Sequence, residues 1–270
     1  MNTSENPVYI LLHIPKCAGF SMSSHMLKFF HDDKYCGLYT SMGPFLENRS
    51  MIEAYLRHLP QKKLNSLRVI AGHGAYYGIH TYFRRPVRYV VFLRHPFRRS
   101  RSHYAHMAQN THAGLPADIP VLDTNGTRLS FAEWMKRRVT THDFMTRFLY
   151  EKFFASAIRK EVTDRHRMKV LGILNTFYFV GLTEYQMHHW FLYDCLGLPV
   201  YAPRENVTDT RFVPPVIPDT SVSRYLLQDS RLYNYARTMP RPVLSPMKRA
   251  ELLLKYVRDR GGFSTRANTI

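Results

Sequence analysis

Cysteine is scarce in this 270-residue chain, and no long hydrophobic run is present. Cys17, Cys36 and Cys195 lie far apart without a Cys-x-x-Cys pair, so neither a disulfide framework nor a cysteine zinc motif is indicated. No stretch reaches the roughly 18 apolar residues of a membrane helix. The N-terminus lacks the basic start and the apolar stretch of a signal peptide. We therefore expect no membrane span and a cytoplasmic protein.

Carboxylates are also few. The chain has 38 Lys and Arg residues against 20 Asp and Glu residues, a net charge of +18. Residues 54–117 contain no Asp or Glu but eleven Lys and Arg residues. Such a balance predicts an anionic partner, which could be nucleic acid, a membrane surface or a phosphorylated or sulfated small molecule. A hydrophobic content of 45% without repeats excludes fibrous and wholly disordered classes.

Short apolar runs alternate with helical patterns, which predicts an α/β fold with a central parallel sheet flanked by helices. The predicted strands are 8–14, 68–71, 88–93 and 177–182. The predicted helices are 20–30, 96–109, one from residue 130, most of 143–174, one from a cap at Thr183 to 195, 221–236 and 246–260. We expect one domain over 1–270, with frayed tails at 1–7 and 261–270 and a surface loop at 112–128.

The first candidate anion site follows the first predicted strand and opens a helix. Its sequence is His13-Ile14-Pro15-Lys16-Cys17-Ala18-Gly19-Phe20-Ser21. A loop at a helix N-terminus presents backbone N–H groups to an anion. Lys16 adds a charge, Gly19 permits close approach of the backbone, and the Ser21 hydroxyl can bond an oxyanion. The segment is not a Walker A loop, because its Lys precedes its Gly. Alone, it could equally be a structural turn.

The second candidate site follows a later strand. Its sequence is Leu93-Arg94-His95-Pro96-Phe97-Arg98-Arg99-Ser100-Arg101-Ser102-His103-Tyr104. Arg94 stands at the carboxyl end of an apolar strand, where open α/β sheets bind their ligands. Ser102 projects from the helix that follows. We therefore expect Arg94 to bind a ligand, whereas most other arginines of this region belong to a solvated basic face.

Together the two segments resemble the sulfotransferase family, whose members use 3′-phosphoadenosine-5′-phosphosulfate (PAPS). The first is similar to the family's 5′-phosphosulfate loop, HIPKTAGTT, and the second to its 3′-phosphate segment, LRDPVERALSHY. Further stretches resemble the carbohydrate 2-O-sulfotransferase-like branch: 71–74 with His73, 143–149 (NxxTRxL), 180–184 and 204–208 (RxNVT). Cys17 and Phe20 replace the usual threonines, and His95 replaces the usual Asp of the second segment.

The resemblance implies a P-loop-like sulfotransferase fold and a PAPS-dependent enzyme that transfers a sulfuryl group to a hydroxyl, with a carbohydrate as the favoured acceptor. Lys16 would stabilise the leaving group, and His73 would be the base. The cofactor-binding residues would be Lys16, Cys17, Ala18, Gly19, Phe20, Ser21, Arg94, Ser102 and Arg99. Arg99 either contacts the 3′-phosphate or braces the loop. His13 and His103 are expected to orient the loop and the helix. The product would be 3′-phosphoadenosine-5′-phosphate (PAP), and no metal is expected.

Other interpretations remain open at this point. A sulfotransferase could act on a non-carbohydrate alcohol or amine. A basic nucleic-acid-binding protein is the alternative from another class, because aromatics such as Tyr82, Phe83 and Tyr89 lie among the arginines. No recognised nucleic-acid module supports it. Surplus positive charge favours an anionic acceptor, such as a uronic-acid-containing or sulfated glycan. A Golgi-lumenal domain trimmed of its anchor is the alternative to a cytoplasmic enzyme, and the oligomeric state stays open.

Overall fold

Five parallel strands form the centre of a single α/β domain in the computed structural model, which describes residues 6–31, 33–39, 49–117, 119–201, 209–214, 220–239 and 246–267. The strands are β1 (Val8–Leu12), β2 (Tyr35–Gly37), β3 (Val69–Gly72), β4 (Val87–Leu93) and β5 (Phe179–Leu182). Their order across the sheet is β2-β3-β1-β4-β5. The predicted fold class is therefore confirmed.

The register places β1 between β3 and β4. Leu11 lies opposite Ala71 on one side and opposite Val90 on the other, both in parallel pairing. Because all strands run the same way, the chain leaves β1, β3 and β4 at the same edge of the sheet. The order of the strands reverses at β1, and ligands of open α/β sheets bind at such a point. Both candidate segments and His73 thus begin at one edge.

The helices of the described ranges cover the sheet and extend beyond it. They are α1 (Gly19–Phe29), α2 (Arg49–His58), α3 (Gln61–Ser66), α4 (Pro96–His112), α5 (Phe131–Arg137), α6 (Phe144–Phe154), α7 (Asp164–Leu174), α8 (Gln186–Leu196), α9 (Thr220–Ser223), α10 (Leu227–Thr238) and α11 (Pro246–Ala267). Pro96 occupies the first turn of α4, where its missing N–H costs nothing. Ser130 and Glu133 form the capping box expected at the start of α5.

Alternate residues of the strands face opposite sides of the sheet. On one side, Ile10 and Val91 pack against α6, α7 and α10. On the other side, Leu11 and Phe92 pack against α1 and α8, together with Leu252 of α11. Both sides of the sheet are therefore covered, and this explains why its strands are continuous apolar runs rather than alternating ones.

The structure differs from the sequence prediction at several elements. The edge strand β2 was missed, because three residues show no periodicity. Thr183 does not cap α8, which begins at Gln186 after Tyr185. The predicted helical stretch 143–174 is two helices, separated by residues 155–163. The last helix, predicted over 246–260, extends to Ala267.

The predicted surface loop at 112–128 is anchored in its middle. Val121 is fully buried in a cluster with Tyr104 and Trp134, and an isolated antiparallel bridge joins Leu122 to Arg128. The segment 204–208, which resembles the RxNVT loop, lies outside the described residues.

Candidate active site

The loop between β1 and α1 turns its backbone through two left-handed residues. Lys16 has φ 69° and Ala18 has φ 62°. This conformation costs roughly 1–2 kcal/mol for each non-glycine residue, so the surroundings must hold it. They do so through three loop carbonyls: His13 O accepts from His73 Nδ1 at 2.8 Å, Pro15 O from Arg99 Nε at 3.2 Å and Lys16 O from Arg94 Nη1 at 3.0 Å.

This bonding fixes the direction of the loop. Its carbonyls accept from His73, Arg99 and Arg94, while the N–H groups of Gly19 and Phe20, the first of α1, have no acceptor within the helix. Cys17 differs from these residues, because its N–H donates to Ile14 O at 3.1 Å and its thiol is buried. Burial raises the pKa of that thiol to about 12. Cys17 therefore shapes the loop as a neutral apolar residue.

Gly19 has a steric role that the sequence did not indicate. A Cβ at this position would lie 1.8 Å from Cδ2 of the His13 ring. The His13 side chain is buried beneath the start of α1, and its Nδ1 bonds the Tyr39 hydroxyl at 2.9 Å. Tyr39 in turn bonds Ser23 Oγ at 2.6 Å. Glycine is required because the imidazole occupies the space of a side chain.

His73, which follows β3, is oriented by the same loop. A backbone carbonyl only accepts, so His73 Nδ1 carries a proton toward His13 O. In the neutral ring Nε2 is then the acceptor nitrogen. The ring stacks on His13 with centroids 4.2 Å apart and meets Tyr39 edge-on at 5.3 Å. This is the tautomer that a general base needs.

Gly72 brings His73 to this position. Its φ of +150° falls in the region that glycine favours, and a Cβ there would lie 2.2 Å from Leu38 O. The Ala71-Gly72-His73-Gly74 stretch therefore bends where β3 approaches the backbone that follows β2. The glycine is explained by this close approach.

Three cations surround the loop. Lys16, Arg94 and Arg99 make no ion pair with a carboxylate in the described ranges of the chain. Burial, reinforced by Arg94 and Arg99, lowers the pKa of Lys16 from 10.5 to about 8. Like charges held together without a partner destabilise the site until an anion binds. The geometry thus supplies a positive, partly desolvated cradle.

Arg99 is the most deeply buried of these cations. It is fully inaccessible in α4, its guanidinium lies 3.6 Å from the centre of the Phe144 ring, and only its Nε has a hydrogen-bond partner among the described residues. Burial lowers its pKa to about 10, so it stays charged at neutral pH. Of the two roles left open by the sequence, bracing of the loop is the one seen. His103, also buried in α4, packs against Trp134 and Phe144.

The turn at Arg94 is held by Glu184, which follows β5 and is itself bonded by Tyr233 of α10. Glu184 Oε1 accepts from the His95 N–H at 2.9 Å, and its Oε2 accepts from the Tyr233 hydroxyl at 3.0 Å. Glu184 thereby bonds the backbone of His95, the residue that precedes the first turn of α4. Ser102 lies two turns into α4 and is half-buried. None of its described contacts joins it to Arg94, so its part in binding stays a prediction.

Two buried carboxyl residues, Asp143 and Asp229, connect α10 to the start of α6. They were not predicted from the sequence. Asp229 accepts from Met145 N, Thr146 N and Thr146 Oγ1 at 2.8–2.9 Å, and Asp143 Oδ1 accepts from Asp229 N at 2.8 Å. These bonds tie α10 to the start of α6, which carries Phe144. The one feature of the sequence that could have indicated this pair is that Asp143 stands where the similar family pattern has Asn.

The pair makes stability depend on pH. Burial, followed by repulsion from Asp229, raises the pKa of Asp143 from its ordinary 3.8 to about 7. A carboxyl whose pKa is raised by folding stabilises the protein at low pH, and this stability is lost as pH rises from about 4 to about 7. Asp143→Asn, which keeps the acceptor oxygen, should raise the free energy of unfolding at pH 8 by on the order of 1–3 kcal/mol.

Urea denaturation at pH 5 and pH 8 measures this effect. The exposed Asp33→Asn serves as the control and should change neither value appreciably. An equal response of Asp143→Asn at both pH values would show that Asp143 carries no pH-dependent penalty.

The strand order, the loop after β1 and the arginines after β4 define an α/β protein with a positively charged loop at the carboxyl edge of its sheet. The Sulfotransferase family matches residues 1–188, well over half of the chain. The chain therefore belongs to the Sulfotransferase family and is a sulfotransferase, an enzyme of a class that uses PAPS. The matched residues include β1 to β5 and both candidate segments.

Other comparisons bear on similarity alone. The structure described as a sulfotransferase from Alicyclobacillus acidocaldarius is 15% identical in sequence, with a TM-score of 0.44, over 87% of this chain and 97% of that one. No curated protein matches the chain. Among the helices of the described ranges, none has the length and apolarity to cross a bilayer. The same ranges contain no group of three or more His, Cys, Asp or Glu side chains that could hold a metal ion.

Proposed function

We propose that this enzyme transfers the sulfuryl group of PAPS to a hydroxyl of a carbohydrate acceptor. One observation carries the proposal. The loop that contains Lys16 and accepts hydrogen bonds from Arg94 and Arg99 also accepts one from His73, at the His13 carbonyl. The anion site and the base are therefore fixed to one backbone segment. In-line transfer requires this fixed geometry between donor and acceptor groups.

The residues of the site fit the donor. Its phosphosulfate would lie on the N–H groups of Gly19, Phe20 and Ser21, with Lys16 beside them. The 3′-phosphate would lie at Arg94 and Ser102. The two Arg99 Nη atoms are buried without a hydrogen-bond partner among the described residues, and leaving such donors unpaired costs about 1–3 kcal/mol. A bound anion or its ordered water would satisfy them.

PAPS supplies a sulfuryl group on a phosphate leaving group. His73 Nε2 takes the proton of the acceptor hydroxyl as that oxygen bonds to sulfur. Lys16 balances the negative charge that develops on the bridging oxygen as the sulfur–oxygen bond to the phosphate breaks. Arg94 and Arg99 hold the loop that carries Lys16, and so fix the distance between the base and the leaving oxygen.

Calorimetric titration with PAP tests the donor site. Arg94→Ala should weaken PAP binding about 10- to 100-fold, because it removes a charge-assisted contact of about 1.5–3 kcal/mol. ADP, which lacks the 3′-phosphate, should bind much more weakly than PAP to the wild type. Arg98→Ala removes an exposed charge of the same segment and should have little effect.

A short DNA duplex, titrated alongside at near-physiological salt, tests the alternative class. Binding of DNA with a steep salt dependence, together with no binding of PAP or ADP, would favour a basic nucleic-acid-binding protein. Tight PAP binding would leave only the acceptor to be identified.

An anionic acceptor, such as a uronic-acid-containing or sulfated glycan, is supported by Lys152. Its ammonium lies 5.2 Å from the centre of the Phe148 ring, which meets His73 edge-on at 6.5 Å. Its nearest carboxylate, Glu151, is 3.8 Å away, and burial lowers the pKa of Lys152. A half-buried cation that packs on the same Phe148 ring as His73 is suited to a carboxylate or sulfate of the acceptor.

Acceptor assays decide this point. Uronic-acid-containing and sulfated oligosaccharides should react at lower KM than neutral ones, and Lys152→Gln should raise that KM about tenfold, as expected for one charge-assisted contact. Its PAP affinity should stay unchanged. Equal activity on neutral sugars would contradict an anionic acceptor, and activity confined to small non-carbohydrate alcohols or amines would contradict a carbohydrate one.

A further inference from the structure

Helix α11 has two apolar faces, and only one of them packs against the described part of the chain. Leu252 is fully buried against the sheet side that α1 and α8 cover, and Tyr256 stacks on Trp190 with centroids 4.5 Å apart. Both Lys248 and Lys255 bond Asp194 of α8, and Asp259 accepts from Val200 N at 2.8 Å. These contacts dock α11 firmly and fix which face it turns outward.

The outward face carries an apolar stripe. Met247 is 84% exposed, Leu253 52%, Leu254 72% and Val257 61%. Spacings of three, four and seven residues place these side chains on one side of a helix, about 120° wide. Single exposed apolar residues are ordinary, whereas four on one helical face mark an interaction surface.

Arginines border the stripe. Arg249 and Arg260 lie along one edge and Arg258 along the other, as helical geometry places them, and all three are exposed. Glu251 is the one exposed carboxylate of residues 246–260, and Lys248 and Lys255 both bond it. The surface therefore combines apolar side chains with a positive rim, on a chain of net charge +18.

This combination fits the surface of an anionic bilayer. In such an arrangement apolar side chains enter the boundary between headgroups and acyl chains, while Arg and Lys meet the lipid phosphates. A second copy of the chain fits less well. Four side chains of one helix cover a few hundred Å², well below the roughly 1,600 Å² of a standard interface, and a two-fold axis would bring both arginine rims together.

We propose that α11 binds the surface of an anionic membrane through Met247, Leu253, Leu254 and Val257, with Arg249, Arg258 and Arg260 at the headgroups. The helix lies in the plane of the interface and does not cross the bilayer. This surface lies outside the catalytic loop, so the proposal does not depend on the proposed function.

Co-sedimentation of the full chain with vesicles tests the proposal. The protein should pellet with phosphatidylcholine–phosphatidylserine vesicles and at least about tenfold less with phosphatidylcholine alone, and high salt should release it. Leu254→Glu should weaken binding to the anionic vesicles about tenfold or more, because it places a carboxylate in the apolar stripe. The matched control is Met168→Glu on α7, where Met168 is 58% exposed, and it should bind as the wild type does.

Two further measurements, of PAP affinity and of oligomeric state, distinguish loss of membrane binding from misfolding and from dimerisation. PAP affinity equal to that of the wild type shows that Leu254→Glu is folded, and Leu254→Gln provides an uncharged variant if it is not. Unchanged vesicle binding by both Leu254 variants would overturn the proposal. It would also be overturned by a wild-type dimer, seen by sedimentation velocity, that Leu254→Glu converts to monomer, since a second copy would then cover the stripe.

Discussion

His73→Ala is expected to lower turnover about 10²- to 10⁴-fold, the usual contribution of a general base. The reason is geometric: His73 Nδ1 donates to the His13 carbonyl, so in the neutral ring Nε2 is the nitrogen that would take the acceptor proton. PAP affinity should change little, because the side chain contacts the loop through a carbonyl and supplies no donor to the phosphates. Single-turnover rates with a fixed acceptor, together with calorimetry for PAP, measure both quantities.

His73→Asn is the matched control. Its amide can still donate to His13 O, so it preserves the contact with the loop but supplies no base. If His73 is the base, the asparagine variant is as slow as the alanine variant. Near-wild-type turnover in His73→Asn would instead show that the side chain acts only by positioning the loop.

Lys16→Ala is expected to lower turnover about 10²- to 10³-fold, as for removal of one group that stabilises developing charge. The ammonium stands on a strained residue between Arg94 and Arg99, where burial makes its charge more effective than in water. PAP binding should weaken less than turnover, because Arg94 and the backbone donors remain. A fall in affinity as large as the fall in turnover would place Lys16 in ground-state binding alone.

The pH dependence of PAP binding provides a second test of Lys16. Burial and the two arginines lower its pKa to about 8 in the free enzyme, so Lys16 loses its proton as pH rises through that value. An anion binds the charged form better, and above pH 8 binding must then take up a proton. PAP affinity should therefore decline above about pH 8, by up to tenfold per pH unit. Lys16→Arg keeps its charge and should show no such decline.

The structure changes what some motif residues are seen to do. Gly19 makes room for the His13 ring rather than only for a ligand. The Cys17 N–H donates to Ile14 O within the loop. Arg99 braces Pro15 O. His13, which the sequence assigned to orienting the loop, links Gly19, Tyr39 and His73. Glu184, two residues after β5, accepts a hydrogen bond from the backbone of His95, the residue that stands where the similar motif has Asp.

Local pattern was sufficient for the main elements and for the strand–turn–helix context of the two candidate segments. Apolar runs ended by proline or glycine mark β1 and β4, and the loop from His13 to Ser21 is contained within one strand–turn–helix unit. Hydrophobic periodicity and helix capping depend on residues a few positions apart, so both can be recognised in the sequence. The same reasoning failed for β2, which is too short for a period, and for the cap at Thr183, where α8 begins later.

The α/β class, the positions of the two candidate segments and the excess of positive charge around them could all be read from the amino-acid sequence. Tertiary structure alone decided that Arg94, Arg99 and His73 meet the carbonyls of one loop, which nitrogen of His73 carries the proton, and that Asp143 and Asp229 pair across 86 residues of chain. The physical reason is that these contacts join segments far apart in sequence. Strand order and packing bring such segments together, and no local periodicity records which partners will meet.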